Sequence, residues 1–257
     1  APAGPLDADS ADRNAVSVKA LRMAFRTRDG LLDVVRGVDL AIRPGRTLAL
    51  VGESGSGKST LLRAIGTLAN PQEVAITDGA IGIGGESALG LSAVALRELR
   101  RRKIGVVFQD AASALNPVLT IGAQLAEAVR AGCGLDDEAL DVTIQQQILV
   151  LLREIQETRG MAMLLVTHDL SLVSRFADDV AVMYAGRIVE SGEVATVLER
   201  PLHPYALALR ASAPGGAESR GQPLRSIPGE PPLVGEFPDG CAFRPRCPRN
   251  QGRPECA

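Results

Sequence analysis

The residues whose types and spacing most clearly indicate chemistry form one uninterrupted run near the start of the chain: Gly52, Glu53, Ser54, Gly55, Ser56, Gly57, Lys58, Ser59 and Thr60. The run has the pattern G-x-x-x-x-G-K-[ST], in which glycines let successive backbone N–H groups converge on phosphate oxygens. In such a loop the lysine reaches the β- and γ-phosphates and the next hydroxyl, here that of Ser59, ligates Mg²⁺. The alternative is a glycine-rich turn that contains Lys-Ser by chance. The match at every fixed position favours a site for a nucleotide phosphate chain.

The segments on either side of the loop support this interpretation. Residues 47–51 form a short apolar run, which predicts a buried parallel strand. Residues 61–65 have helical character, so a helix should begin near Gly57 and direct the positive end of its dipole at the loop. Strand, glycine loop and helix in this order are the setting that a phosphate-binding loop requires.

Two further polar residues follow predicted buried strands. Gln109 comes directly after the apolar residues 104–108, and His168 lies just beyond the apolar residues 161–166. A helix is predicted between them, because apolar residues of the segment 142–158 recur with helical spacing. Apolar strands alternating with helices predict an α/β fold with a mainly parallel sheet. Ligands of such sheets bind at the carboxyl ends of the strands, so Gln109 and His168 are expected near the loop.

Composition restricts the kinds of protein that fit. The chain has 257 residues, of which 46% are hydrophobic and 23% charged, and its net charge is −2. This balance is ordinary for a globular protein and lacks the basic footprint of a nucleic-acid-binding protein. No apolar run approaches the roughly 18 residues of a membrane span. Residues 1–14 are expected to be a flexible tail without the order of a signal peptide. We therefore expect a cytosolic protein whose membrane role, if any, depends on a partner.

The cysteines form a second candidate site. Of the four, Cys241, Cys247 and Cys256 lie close to the end of the chain, while Cys133 stands apart. In a reducing compartment this clustering favours a metal over a disulfide. The residues from Ser212 onward are rich in Pro, Gly and Arg, so an extended tail held by local contacts is expected there.

Several separate segments together resemble the ATPase subunits of ATP-binding-cassette (ABC) importers for dipeptides, oligopeptides and nickel. The similarity extends over nearly the whole chain from Ala15. The segments that carry it, besides residues 51–60, are residues 108–110, 113–117, 139–145, 167–170, 183–190, 203–205 and 227–232.

The resemblance implies a fold and an activity. The fold would be α/β, with a mainly parallel sheet of the P-loop NTPase type, flanking helices, an N-terminal antiparallel β subdomain and a truncated helical subdomain. Residues 15–211 would form the nucleotide-binding domain, and residues 212–257 an importer-type C-terminal segment. Such a subunit binds ATP with Mg²⁺ and pairs with a second ABC ATPase subunit. The pair powers transmembrane permease subunits at the cytoplasmic face of the membrane, and a solute-binding protein delivers the cargo.

The resemblance also implies roles for single residues. Gln109 would contact Mg²⁺ and the attacking water, His168 would bond the γ-phosphate, and Phe25 would stack on adenine. Taken alone, these would be a surface amide, an ordinary histidine and a core phenylalanine. The C-terminal cysteines are similar to those that hold an iron–sulfur (4Fe-4S) cluster in some members. Zinc or free thiols are the alternatives.

Two parts of the family pattern are missing. The family carries a signature segment, Leu-Ser-Gly-Gly-Gln, followed by an apolar strand that ends in Asp-Glu-Pro and supplies the catalytic carboxylates. Neither is found between Gln109 and Ala139. Asp137 and Glu138 precede Ala139, but no apolar strand leads into them. The chain thus has a phosphate loop without an identifiable general base. A catalytically inactive partner subunit, or an ABC protein that does not transport, is the alternative function.

We predict that the sequence is discontinuous between about Gly132 and Ala139, so that a segment of the natural chain is missing from it. The missing strand belongs inside the sheet, beside the strand that feeds the phosphate loop, and its loss would leave buried backbone groups unpaired at about 1–3 kcal/mol each. The flanking segments show no replacement apolar run. Sequencing the encoding DNA across codons 130 to 140 checks this, and an uninterrupted reading of these residues would contradict it.

Overall fold

Two four-stranded sheets form the scaffold of the protein in the computed structural model, which describes residues 14–106, 144–213 and 226–249. In chain order the strands are β1 (Val16–Thr27), β2 (Gly30–Ile42), β3 (Thr47–Val51), β4 (Val74–Ile83), β5 (Glu86–Ser87), β6 (Met163–Val166), β7 (Asp179–Tyr184) and β8 (Arg187–Glu193). The helices are α1 (Lys58–Ile65), α2 (Ala93–Lys103), α3 (Ile144–Arg159), α4 (Leu170–Phe176), α5 (Val194–Glu199) and α6 (Pro204–Ser212).

The first sheet is antiparallel and has the order β2-β1-β4-β5. The hairpin partner of β1 begins at Gly30, because the turn at residues 28–29 is short. At Asp78-Gly79 the register with β1 shifts, yet β4 continues as one strand. At Gly79 φ is +93°, and a Cβ there would lie 2.6 Å from the Cα of Leu21. Glycine thus lets β4 continue where its backbone crowds β1.

The second sheet has the order β6-β3-β7-β8 and carries the phosphate loop at the end of β3. β3 is parallel to both β6 and β7, and β8 is antiparallel to β7. All of β3 is buried, as predicted, but β6 is only half-buried. One edge of β6 pairs with β3, and no strand among the described residues pairs with the other edge. The α/β fold with a mainly parallel sheet and an antiparallel β subdomain is confirmed.

The position expected for the missing strand is wrong. We expected that strand beside the one that feeds the phosphate loop, yet both neighbours of β3 are present, namely β6 and β7. Residues 132–139, where the discontinuity is predicted, lie outside the described residues. A strand absent from this sheet therefore cannot have been paired with β3.

The apolar core lies on the two faces of the second sheet. Leu48 and Leu50 of β3 belong to one buried cluster, shared with the first sheet and α1, whereas Ala49 and Val51 belong to another. This alternation follows from the two-residue period of a strand. The second cluster is completed by residues of α4, α5 and α6 and by Phe243, which is 1% exposed.

Phe243 belongs to the docked segment, as we call residues 226–249. The sequence predicted an extended tail held by local contacts, and for the docked segment that prediction is wrong. Its 3₁₀ turn at Arg244–Arg246 follows a phenylalanine buried in the second core cluster. The docked segment is thus part of the fold rather than an appendage.

Helix α3 confirms the helix predicted at residues 142–158, with a narrower apolar face than expected. Ile155 is buried, but Leu151 is 45% exposed. Gln156, on the same buried side, is hydrogen-bonded through its side-chain amide to the hydroxyl of Thr47 at the start of β3. No helix among the described residues is long and apolar enough to span a membrane.

An ion pair fixes the register of β3 against β7. The guanidinium of Arg46 donates two hydrogen bonds to the carboxylate of Asp179, at 2.8 and 2.9 Å, and this bonding raises the pKa of Arg46. The backbone N–H of Thr47 donates to the carboxylate of Asp178 at 2.7 Å. Because both contacts join strand beginnings, they also determine which residues face each other at the strand ends.

The close approach of β3 and β7 at their ends makes Gly52 irreplaceable. Its φ is +152°, and an added Cβ would lie 2.2 Å from the carbonyl oxygen of Met183, whereas Gly55, with φ +79°, has nothing within 4 Å. We expect Gly52→Ala to lower the free energy of unfolding by about 2–5 kcal/mol, from strain and collision together. Gly55→Ala, which adds strain alone, should cost about 1–2 kcal/mol. Urea denaturation measures both, and equal losses would contradict the collision.

Candidate functional site

The phosphate loop connects β3 to α1 and is shaped by its own backbone. The N–H of Ser56 donates to the carbonyl of Glu53 at 3.3 Å, which closes the turn. Gly57 caps α1 with φ of +102°, a conformation that favours glycine. The carbonyl of Ser56 accepts from the N–H of Gly186 at 3.0 Å, so the loop is also tied to the turn after β7. The result is a rigid curl at the positive end of a helix, which suits an anion.

Lys58 places a cation inside this curl. Its ammonium group donates to the carbonyls of Gly52 and Glu53, at 2.8 and 2.6 Å, and to the hydroxyl of Ser56 at 3.1 Å. Burial lowers the pKa of Lys58, and the charge of Glu53 partly opposes this effect. A desolvated ammonium beside converging backbone dipoles would interact strongly with phosphate.

The loop lines a cavity of about 360 Å³ together with residues from distant parts of the chain. His168, which is exposed, and the buried Thr167 follow β6 and enter the cavity at the carboxyl end of that strand. The structure therefore brings His168 together with the phosphate loop, as the strand argument anticipated. Gln109, Asp137 and Glu138 lie outside the described residues.

An apolar wall stands beside the polar loop. It is formed by Phe25 of β1, Val34 of β2 and Val234 of the docked segment, all lining the same cavity. Phe25 is half-buried, so part of its ring remains available to a ligand. A cavity with cationic and N–H groups at one place and apolar side chains at another fits a molecule that joins phosphates to a flat base.

The docked segment makes a contact with the loop that was not predicted from the sequence. The guanidinium of Arg246 donates two hydrogen bonds to the carboxylate of Glu53, at 2.7 and 3.0 Å. The hydroxyl of Tyr205 in α6 accepts a hydrogen bond from the N–H of Glu53 at 2.8 Å. One signal was available. The chain has only two tyrosines, and Tyr184 and Tyr205 lie in two of the segments that carried the family resemblance.

The C-terminal cysteines do not form a complete cluster site in the described residues. Cys241 and Cys247 are half-buried free thiols, and Cys133 and Cys256 lie outside the described part of the chain. Within that part, no group of three His, Cys, Asp or Glu residues could hold a metal ion. A 4Fe-4S cluster needs four thiolates, and the C-terminal segment has three. These residues therefore do not fit such a cluster by themselves.

Comparison with protein families matches two long segments of the chain. Residues 35–175 match the family described as ABC transporter. Residues 189–256 match the family described as oligopeptide/dipeptide transporter, C-terminal region. The second match includes the docked segment.

Two curated relatives illustrate the similarity. A putative peptide import ATP-binding protein of Brucella ovis is 38% identical over 299 residues, covering 90% of this chain and 88% of the relative. The dipeptide transport ATP-binding protein DppD of Bacillus subtilis is 35% identical, covering 91% of this chain and 86% of the relative. The Brucella alignment is longer than the 257 residues of this chain, so the relative contains segments without a counterpart here.

Solved structures agree on the fold. An ATP-binding cassette solved as a dimer with ADP and Pi has a TM-score of 0.55 and 22% identity, covering 70% of this chain and 98% of that one. CbiO1 of Clostridium perfringens, part of an ABC transporter complex, has a TM-score of 0.55 and 21% identity, covering 73% and 92%. The loop, the sheet order and both family matches lead to one conclusion: the chain belongs to the ABC transporter ATPases, within the group that carries the oligopeptide/dipeptide transporter C-terminal region.

Proposed function

We propose that this chain is the ATP-binding and hydrolysing subunit that powers a membrane importer of peptides or related small solutes. The observation that carries the proposal is the cavity in which the Lys58 loop meets His168 and the apolar wall of Phe25 and Val34. The peptide and dipeptide import ATP-binding proteins among its relatives support the cargo class.

Different residues would bind different parts of MgATP. The N–H groups of the loop, the positive end of α1 and the ammonium of Lys58 bind the phosphates, and the hydroxyl of Ser59 ligates Mg²⁺. The Phe25 ring packs on adenine, and His168 donates a hydrogen bond to the γ-phosphate. Gln109 would contact Mg²⁺ and the attacking water. When bound, ATP supplies the phosphoanhydride bond whose hydrolysis drives transport.

The partners follow from the family. A second ABC ATPase subunit, identical or different, pairs with this chain, and transmembrane permease subunits bind the pair at the cytoplasmic face of the membrane. The solved cassette described as a dimer with ADP and Pi supports the pairing. A solute-binding protein delivers the cargo to the permease, and nucleic acid has no part in the cycle.

A catalytically inactive partner subunit is the second candidate function. The observation that favours it is the absence of a recognisable signature segment and Asp-Glu strand in the sequence. The predicted discontinuity between Gly132 and Ala139 is the competing explanation, and the length of the alignment with the Brucella relative supports it.

The iron–sulfur cluster at Cys241, Cys247 and Cys256 stays a prediction, which iron and sulfide analysis of the purified chain would decide.

Removing the loop lysine tests the nucleotide site. Lys58→Ala eliminates the charge-assisted hydrogen bonds to phosphate, at about 1.5–3 kcal/mol each, so MgATP affinity should fall about 100-fold. Isothermal titration at constant ionic strength measures the change. Lys19→Ala, at an exposed position of β1, is the matched control and should bind like the unaltered chain. Equal affinity of the two variants would contradict the site.

Hydrolysis by this 257-residue chain should be poor. A positioned general base contributes about 10²–10⁴-fold to a rate, and the sequence contains no residue in the family position of that base. We expect phosphate release from MgATP to remain within a few-fold of the Lys58→Ala variant, which reports the background. Turnover well above that background would make the prediction wrong. Loss of such turnover in Glu138→Gln would then identify Glu138 as the base.

A further inference from the structure

The residue through which the docked segment reaches the phosphate loop is Arg246. It ends the 3₁₀ turn Arg244–Arg246, and its side chain is 4% exposed. Besides its two hydrogen bonds to Glu53, the guanidinium donates to the carbonyl of Pro228 at 2.9 Å and to the hydroxyl of Tyr184 at 3.3 Å. One buried cation thus connects the loop, the end of β7 and the beginning of the docked segment.

The carboxylate, the N–H and the carbonyl of Glu53, the second residue of the loop, all form hydrogen bonds. Arg246 holds its carboxylate, Tyr205 accepts from its N–H, and Lys58 donates to its carbonyl at 2.6 Å. The N–H of Glu53 is therefore directed at a tyrosine. The phosphates must therefore be held by the N–H groups of the loop residues that follow Glu53. Glu53 itself anchors the start of the loop to the rest of the fold.

The groups that hold Glu53 are themselves immobilised. Tyr205 is completely buried, and its ring packs against Tyr184 and Phe243 with centroids 4.4 and 5.4 Å away. The ring of Phe243 also lies 5.3 Å from that of Tyr184. Because Phe243 lies close to Arg246 in the chain, the aromatic cluster fixes the turn that presents the guanidinium.

A second contact joins the docked segment to the same cavity. Val234 lines it beside Phe25, and Phe237 lies under the guanidinium of Arg36, 4.2 Å from its ring centroid. The neighbouring Gly235 is pressed against Leu32, since a Cβ there would lie 2.1 Å from a methyl carbon of that side chain. The segment therefore touches the polar loop and the apolar wall at separate places.

We infer that Arg246 and Tyr205 are positioning residues of the nucleotide site, which hold the phosphate loop through Glu53 in the shape that binds MgATP. The inference rests on the proposed function, because it assumes that the loop binds nucleotide. A buried ion pair contributes little net stability, but removing one partner leaves a costly unpaired charge on the other. Here that unpaired charge would be on the carboxylate of Glu53, the second residue of the loop.

The test compares two arginines of one turn. Arg246→Met removes the ion pair and keeps the volume, and Arg244→Met is the matched control at an exposed position. MgATP titrations, run well below the unfolding temperature of each variant, should show about tenfold weaker binding for Arg246→Met and no change for Arg244→Met. Arg246→Lys, which keeps the charge without the fork, should recover part of the loss. Equal affinity of Arg246→Met and Arg244→Met would overturn the inference.

A double-mutant cycle separates positioning from stability. If Arg246 acts through Glu53, then Arg246→Met combined with Glu53→Gln should weaken MgATP binding no more than Arg246→Met alone. Fully additive losses would overturn the route through Glu53. Tyr205→Phe, which removes only the acceptor of the Glu53 N–H, should weaken MgATP binding several-fold.

A measurement on the unaltered chain covers the case in which Arg246→Met fails to fold. Coupling between two sites is reciprocal, so MgATP should slow backbone hydrogen exchange at residues 241–249 as well as in the loop. Lys58→Ala should show neither effect. Protection of the loop without protection of residues 241–249 would overturn the inference and leave the proposed function intact. Failure of the unaltered chain to bind MgATP would overturn the proposed function, and the inference with it.

Discussion

The pairing of β3 with a parallel strand on each side is the constraint on which the rest of the structure depends. The backbone of β3 is saturated by β6 and β7, and its side chains enter two different core clusters. The chain must therefore leave the sheet at Gly52, against the carbonyl of Met183. A glycine loop and a helix that starts at once are what this exit requires. The site is thus a consequence of how tightly the middle of the sheet is filled.

Three charged side chains lie one after another around the point where the chain leaves the sheet at Gly52. Lys58 is desolvated within the loop, Glu53 lies beside it, and Arg246 lies beyond Glu53. Burial lowers the pKa of Lys58, whereas the carboxylate of Glu53 raises that of Arg246. Lys58, the cation whose pKa is lowered, lines the cavity. Arg246, the cation whose pKa is raised, is held in an ion pair with Glu53. An incoming phosphate therefore meets a cation whose charge is incompletely neutralised by protein.

The parts that could be predicted from sequence are those set by local pattern. Most of β3 follows from the four apolar residues 48–51, since a strand buried on both faces has few polar residues to interrupt it. The loop follows from its glycines, and the approach of His168 follows from the rule that parallel strands end at one edge. The half-burial of β6 could not be read from its residues, because its composition resembles that of β3 and only sheet order distinguishes them. The bond between Glu53 and Arg246 has no periodic signal at all.

That bond also has a temporal consequence. Glu53 and Arg246 are separated by 193 positions, so the guanidinium that completes the loop is synthesised well after the carboxylate that it binds. At about 5–20 residues per second of ribosomal synthesis, roughly 10–40 s pass between the appearance of the two residues. During that interval β3 and α1 can form while Glu53 has no counter-ion. A nascent chain would therefore acquire its finished phosphate loop only after the docked segment has been made, when the strands that surround the loop are already present.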